Sequence, residues 1–218
     1  MSKQDQSEQL AVQFARYTST KNEREISLRF WGGWLYKRLL ILEHMTIGIS
    51  ELPVGGVQDH YHINEHVLHY VIDGRGSVTL NEDQPDQRIE SFDAGKLFDF
   101  PARQRYFFNC DSPTLLLTVR TPVDASPCLE MHTLQPDAHF NRYMLPRTAY
   151  TNECGFLFSG EVSLNAGGIA QTLTGGTVFY VLPELEYTLH NQGTTTLQWA
   201  TITASAGSHR DRTQSSTD

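Results

Sequence analysis

Two neighbouring stretches of the sequence determine the fold. The first is Pro53-Val54-Gly55-Gly56-Val57-Gln58-Asp59-His60-Tyr61-His62, and the second is Val67-Leu68-His69-Tyr70-Val71-Ile72-Asp73-Gly74. In a strand, residues i and i+2 point to the same face, so His60 and His62 would project together. On the inner face of a small barrel, the two imidazoles would converge on one point, as ligands of a transition metal must. A short turn containing Glu65 and His66 would then return the chain through the second stretch, which brings His69 into the same cavity.

The rest of the chain consists of short apolar runs. From Ile26 onward, β-branched and aromatic segments are broken by Gly, Pro, Asn and Asp, and this pattern predicts an all-β sandwich or barrel. The clearest runs are Leu39–Leu42, Met45–Leu52, Val67–Ile72, Ser77–Leu80, Leu97–Phe100, Leu115–Val119, Gly155–Phe158, Val162–Leu164, Val178–Leu182 and Leu197–Ile202. Only Ser7–Ala15 has a weak 3.6-residue period, which predicts one short N-terminal helix.

The sequence also repeats itself. Pro101 is followed eight residues later by Asn109, and Pro183 is followed eight residues later by Asn191, so both pairs have an offset of 82 residues. We therefore predict two tandem β modules. The predicted domains are lead-in residues 1–44, a first module 45–125, a second module 126–205 and a disordered tail 206–218.

Composition excludes several kinds of partner. The 218 residues include 17 basic and 25 acidic side chains, for a net charge of −8 without a Lys/Arg cluster, which argues against nucleic acid. The longest apolar stretches are far shorter than the roughly 20 residues of a membrane helix, so no membrane partner is expected. Three cysteines without a C-x-x-C spacing indicate a reduced protein, and we expect a cytoplasmic location.

The two opening stretches resemble the first motif of the cupin superfamily, usually written G-x5-H-x-H-x3–4-E-x6-G. Gly95-x5-Pro101 and Asn109 resemble the second motif, G-x5-P-x-G-x2-H-x3-N. The resemblance covers residues 45–122 well and residues 128–204 more weakly, so the whole chain resembles a bicupin. It implies two tandem cupin-type (jelly-roll) β-barrels.

The chain departs from both motifs at residues that bind metal in the family. Val67 occupies the glutamate slot, and Tyr106 occupies the histidine slot of the second motif. Arg103 replaces the inner glycine, and Cys110 takes the asparagine slot. In the second module no histidine pair precedes Glu153, and the slot after Pro183 is Thr188, so we expect that module to carry no metal.

The resemblance implies a divalent transition metal held by His60 and His62, completed by Glu65, His66 or His69. Fe(II) is favoured because a mostly imidazole ligand set suits it, and Ni(II), Cu(II), Mn(II) and Zn(II) remain alternatives. Tyr106 and His69 are the candidate catalytic residues, as an acid and a base. The competing interpretations are a lost metal site, a core aromatic or a phenolate metal ligand for Tyr106, and a hydrogen-bonded core histidine for His69.

What the resemblance implies is a small-molecule enzyme. A non-haem dioxygenase acting on a carboxylate, diketone or phenolic substrate comes first, and a metal-dependent isomerase or lyase comes second. The alternative is a metal-free bicupin, either a binding protein or an epimerase or cyclase that uses a histidine and Tyr106 for proton transfer. Arg103, Arg105 and Arg120 either border the cavity, where they would orient a carboxylate, or are solvated. A homodimer is expected because open sheet edges pair.

Overall fold

The computed structural model describes residues 12–16, 27–29, 34–42, 44–56, 62–143, 151–182 and 185–206, and in these residues the regular structure is all strand. The strands are β1 (Val12–Arg16), β2 (Ser27–Arg29), β3 (Leu35–Leu42), β4 (Met45–Leu52), β5 (Gly55–Gly56), β6 (Glu65–Asp73), β7 (Gly76–Leu80), β8 (Arg88–Phe92), β9 (Leu97–Phe100), β10 (Tyr106–Cys110), β11 (Thr114–Pro122), β12 (Ala125–Leu134), β13 (His139–Tyr143), β14 (Thr151–Ser159), β15 (Glu161–Ala166), β16 (Ile169–Thr174), β17 (Thr177–Val181), β18 (Glu186–His190) and β19 (Leu197–Ala206).

The strands form two barrels of the same design. In the first, a large sheet of order β2-β3-β4-β11-β6-β9 faces a small sheet of order β5-β10-β7-β8. In the second, a large sheet of order β1-β17-β14-β19-β12 faces a small sheet of order β13-β18-β15-β16. Strands β4 to β11 therefore repeat as β12 to β19, with the same neighbours in each set. The predicted all-β class with two tandem jelly-roll barrels is confirmed.

The N-terminal segment contains a strand where the sequence predicted the end of a helix. Residues 12–16 form β1, which pairs antiparallel with β17 from Val12↔Val181 to Arg16↔Thr177. The helix predicted over Ser7–Ala15 is wrong for its last four residues, because a short isolated helix is marginal whereas the edge of β17 offers backbone partners. The predicted disordered tail 206–218 is wrong for residue 206, which ends β19. Residues 7–11 and 207–218 lie outside the described part of the chain.

Three apolar cores stabilise the two barrels. One fills the first barrel and is rich in aromatic side chains, including Trp34, Phe98, Phe100 and Phe108. A second fills the other barrel around Trp199. The third lies between the large sheets and combines residues of β3, β4, β6 and β11 with residues of β14, β17 and β19. The large sheets are therefore buried on both faces, which explains why their strands read as nearly continuous apolar runs.

Strand β6 shows how this packing positions polar residues. Val67, His69 and Val71 have fully buried side chains that point into the first barrel, as predicted. Leu68 lies on the opposite face, in the core that contacts the second barrel. Since side chains alternate along a strand, Glu65 shares the inward face with His69.

Among the described residues no helix has the length and apolar composition needed to cross a membrane.

Candidate functional site

The first barrel holds a cluster of three charged or titratable side chains, His62, Glu65 and Arg120, where β6 begins and β11 ends. His62 Nδ1 lies 2.8 Å from Glu65 Oε2 and 3.2 Å from Arg120 Nη2. Arg120 also donates to Glu65 Oε2. The side chains are 13%, 39% and 21% exposed respectively, so a small molecule from solvent can reach the cluster.

The charge state of Glu65 fixes the tautomer of His62. The hydrogen bond from His62 lowers the pKa of Glu65, and Arg120 lowers it further against the opposing effect of burial. An ionised carboxylate only accepts hydrogen bonds, so His62 Nδ1 is the donor in the 2.8 Å contact with Glu65. A protonated Nδ1 cannot accept from a guanidinium, so the 3.2 Å approach of Arg120 Nη2 to the same nitrogen is a close contact and not a second hydrogen bond. In neutral His62, Nε2 is then the basic nitrogen.

Each member of the cluster is positioned by neighbouring backbone. Glu65 is the first residue of β6, so the predicted turn ends before Glu65 and His66 rather than containing them. Arg120 lies in β11 opposite Val67, two residues from Glu65 on the inward face. The Arg103 amide donates to the His62 carbonyl at 2.6 Å, which anchors the segment before β6.

Deeper in the barrel, His69 belongs to a chain of hydrogen bonds that joins both sheets. Its Nδ1 lies 2.9 Å from Thr118 Oγ1, and its Nε2 lies 3.3 Å from the Tyr106 hydroxyl. Thr118 Oγ1 in turn lies 2.8 Å from Ser50 Oγ. Both ring nitrogens of His69 are thereby engaged, as expected for a histidine that is fully buried.

Tyr106 is a protonated phenol packed in the core. Burial raises its pKa far above the ordinary value of 10.0. Its ring stacks on Phe100 with centroids 4.0 Å apart, and the side chain is 1% exposed. The proposed catalytic roles of His69 and Tyr106 remain predictions, and the burial of both residues shows that a substrate would have to displace aromatic side chains to touch them.

The structure separates the other candidate ligands. His66 lies on the face of β6 opposite Glu65 and pairs with Asp99, and both residues face away from the barrel interior. His60 lies outside the described residues, so its predicted role as a ligand remains a prediction. Of the four predicted metal ligands, the structure therefore brings together His62 and Glu65.

The described residues do not fit the four-ligand metal centre that the motifs imply. Among them, no group of three or more His, Cys, Asp or Glu side chains is arranged to hold a metal ion. Val67 has no donor atom, Tyr106 retains its proton, and Arg120 adds a positive charge beside Glu65. The guanidinium of Arg120 donates a hydrogen bond to Glu65, and its positive charge would repel a divalent cation bound to that carboxylate.

The second barrel has an ion pair at the strand position of Val67. Glu153 in β14 pairs with Arg142 through two contacts, Nε to Oε1 at 2.8 Å and Nη2 to Oε2 at 2.9 Å. Burial raises the pKa of Glu153, opposed by Arg142. In the strand register of the second barrel, Tyr187 is the residue that corresponds to Tyr106. Thr188, which the motif places in the histidine slot, lies on the other face of the strand and donates to Asn141. Both oxygens of Glu153 are thus engaged by Arg142 in the second barrel.

Four residues near these groups were not recognised from the sequence as part of the site, namely Tyr36, Arg38, Ser50 and Thr118. The guanidinium carbon of Arg120 lies 5.6 Å from the centroid of the Tyr36 ring. The sequence of β11 contains a pattern that predicts part of this face. Because side chains alternate along a strand, Leu116, Thr118 and Arg120 share one face, which places a hydroxyl and a guanidinium side by side. Arg103 and Arg105 are exposed, so Arg120 is the arginine of the predicted three that lies in the cluster.

No protein-family model matches the chain, and no curated protein matches its sequence. Solved structures do match its fold. AerE from Microcystis aeruginosa matches with a TM-score of 0.65 at 11% identity, over 88% of this chain and 98% of that chain. Oxalate decarboxylase from Bacillus subtilis, described with Mn(II) centers, matches with a TM-score of 0.65 at 14% identity, over 90% of this chain and 80% of that chain.

These matches, together with the two motifs, place the chain among proteins of the cupin fold. The matches extend over both barrels, since they cover about nine tenths of this chain. At such low identity they establish the fold and not the activity.

Proposed function

We propose that the protein is a cupin-type enzyme that transfers protons on a small, oxygen-rich substrate, as an isomerase, epimerase or lyase. The observation that carries this proposal is the His62–Glu65 pair at 2.8 Å beside Arg120. A histidine whose Nδ1 donates to a carboxylate is oriented as a general base, because the carboxylate stabilises the imidazolium that forms.

The proposed step needs no group beyond the cluster. His62 Nε2 takes a proton from a carbon next to a carbonyl, and the electron pair of the broken C–H bond moves to the carbonyl oxygen. Arg120 stabilises the enolate oxygen that results, since a guanidinium in a partly buried site interacts strongly with developing negative charge. Return of that proton from the His62 imidazolium to a different carbon completes an isomerisation. Protonation of the original carbon by solvent water on the opposite face completes an epimerisation, after which His62 releases its proton to solvent.

The accessibility of the cluster favours His62 over His69 as the base. The His62 side chain is 13% exposed, whereas His69 is fully buried. His69, Thr118 and Tyr106 are accordingly proposed to support the floor of the site.

A metal-dependent enzyme, with an Fe(II) dioxygenase as its specific form, is the second candidate. Three observations favour it. The first is the His60-x-His62 spacing, and the second is the His62–Glu65 pair, because metal-ligating histidines usually donate their second nitrogen to a carboxylate. The Mn(II) centers of the oxalate decarboxylase that shares the fold are a third.

Two measurements on the purified full chain distinguish the candidates. The first follows solvent deuterium exchange into a panel of 2-oxo acids, 1,3-diketones and phenols by NMR. We expect exchange in at least one compound after treatment with a chelator, and a decrease of about 100-fold or more in His62→Gln. Tyr106→Phe is expected to retain activity within about threefold, because the Phe100 stack remains and the base is elsewhere.

The second measurement is elemental analysis after anaerobic reconstitution with each candidate metal. Less than about 0.2 metal per chain would overturn the dioxygenase, because a catalytic centre needs near-stoichiometric metal. Near-stoichiometric metal that disappears in a His60→Ala, His62→Ala variant, together with metal-dependent oxygen consumption, would instead overturn the metal-free enzyme.

A further inference from the structure

Arg38 is a second guanidinium on the inward face of the first barrel. In the register of β3 and β4, Tyr36 is opposite Ser50 and Arg38 is opposite Gly48. Ser50 bonds Thr118 inside the barrel, and paired residues of antiparallel strands share a face, so Tyr36 and Arg38 point inward as well. Arg120 lies on that face because it pairs with Thr46, on the same side of β4.

The described part of this face carries more positive than negative charge. Two guanidinium groups, Arg38 and Arg120, accompany one carboxylate, Glu65, which is already paired with Arg120. Tyr36 links the two arginines: its ring centroid lies 5.6 Å from the guanidinium carbon of Arg120, and Arg38 follows it two residues later on the same face of β3. Local excess positive charge in a chain of net charge −8 indicates a site that attracts an anion.

The arginines also present buried donors that lack an acceptor. The Nε of Arg38 and the Nε of Arg120 are both buried, and neither has a hydrogen-bond partner among the described residues. A buried donor without an acceptor costs about 1 to 3 kcal/mol, so such groups usually meet a ligand or an ordered water. Tyr36 adds a third donor, because burial raises its pKa to about 12 and the phenol keeps its proton at neutral pH.

We propose that Arg38 recognises a carboxylate of the substrate, so that among carboxylates, diketones and phenols the site takes a carboxylate. The inference rests on the proposed function for the location of the substrate at this cluster. The guanidinium Nε and an Nη form a fork that matches a carboxylate, and the Tyr36 hydroxyl is the neighbouring donor. Arg120 is then left to stabilise charge that develops elsewhere on the substrate.

The test measures binding of matched carboxylates and amides to the full chain. Benzoate, 2-oxobutanoate and 3-phenylpropanoate are each compared with the corresponding primary amide by ligand-observed NMR. We expect at least one carboxylate to bind about tenfold tighter than its amide in the wild type, and Arg38→Gln to remove that preference. Arg38→Lys should retain part of it, since the charge remains and the fork is lost.

Arg88→Gln is the matched control, because Arg88 is an exposed arginine of β8 with 64% of its side chain accessible. It should leave the preference unchanged, and the circular dichroism spectra of all variants should agree with the wild type. A wild type that does not distinguish carboxylates from amides, or an Arg38→Gln variant that keeps the distinction, overturns the inference.

The two proposals fail in different ways. If carboxylates bind through Arg38 but no bound compound exchanges its α-hydrogens with solvent, the proposed proton-transfer function is wrong and carboxylate recognition stands. If exchange occurs and depends on His62 but not on Arg38, the function stands and the inference is wrong.

Discussion

The hydroxyl of Thr118 lies 2.9 Å from Nδ1 of His69. Both side chains are buried, in adjacent strands, with Thr118 opposite His69 in the register of β11 and β6. The hydroxyl therefore satisfies a ring nitrogen that has no access to water. A buried histidine between aromatic rings is tolerated here because its polar atoms have partners on both sides of the barrel.

Thr118→Val should destabilise the first barrel. Valine has nearly the shape of threonine, but it leaves His69 Nδ1 and Ser50 Oγ without their shared partner. We expect the free energy of unfolding in urea to fall by about 1 to 3 kcal/mol. Thr133→Val, at an exposed position of β12, is the control and should change it by less than about 0.5 kcal/mol. Equal effects of the two substitutions would contradict the role of the Thr118 hydroxyl.

The strand pattern in the sequence predicts the two barrels, but it does not predict which side chains meet in the cluster. The alternation in Val67, His69 and Val71 correctly predicted an inward face, because that pattern depends only on strand geometry and burial. The Arg120–Glu65 pair joins residues 55 positions apart, and no spacing rule links them until the register of β11 and β6 is known. His66 belongs to the predicted ligand set because it lies close to His62 and Glu65 in the sequence. It follows Glu65 by one residue in β6, so its side chain lies on the opposite face of the strand.

The stability contributed by Glu65 should depend on pH. The pKa of Glu65 is lower in the folded protein than its ordinary value of 4.5, because His62 and Arg120 interact with the ionised carboxylate. The stabilisation by Glu65 is therefore complete at pH values above its ordinary pKa. It is lost as the pH falls through the lower pKa that Glu65 has in the folded protein. Glu65→Gln should reduce the free energy of unfolding by about 1 kcal/mol at neutral pH, a small effect because the side chain is 39% exposed.

The measurement is a series of urea unfolding curves for the wild type and Glu65→Gln from neutral pH down through the acid range. The difference between the two proteins should be constant near neutral pH and should shrink below pH 4.5. Glu82→Gln, which changes an exposed carboxylate of the turn between β7 and β8, should show no such trend. A difference that grows on acidification would mean that the partners of Glu65 are misassigned.

Arg103 occupies the position of a motif glycine and carries backbone strain as a result. Its φ is 69°, in the left-handed region that costs a residue with a side chain about 1 kcal/mol. Arg103→Gly should raise the free energy of unfolding by about 0.5 kcal/mol, since glycine removes the strain but gains entropy in the unfolded chain. Arg103→Ala removes the same side chain and keeps the strain, so it should give no gain. If alanine stabilises as much as glycine, the effect comes from the guanidinium and not from the backbone.

Gly48 allows Tyr36 to lie against the sheet beside Arg38. A Cβ at residue 48 would come within 2.3 Å of the Lys37 carbonyl oxygen and 2.6 Å of the Tyr36 ring. Backbone and ring would both have to move, and overpacking of this kind costs about 1 to 3 kcal/mol. Gly48→Ala should therefore lower the midpoint of thermal unfolding and weaken carboxylate binding, because the displaced ring borders Arg38. In the control Gly193→Ala, the nearest atom to the new Cβ is Oδ1 of Asn191 at 3.3 Å, in the second barrel, so the loss of stability should be smaller and carboxylate binding should not change. Binding that survives a clear loss of stability in Gly48→Ala would show that Tyr36 does not contribute to the site.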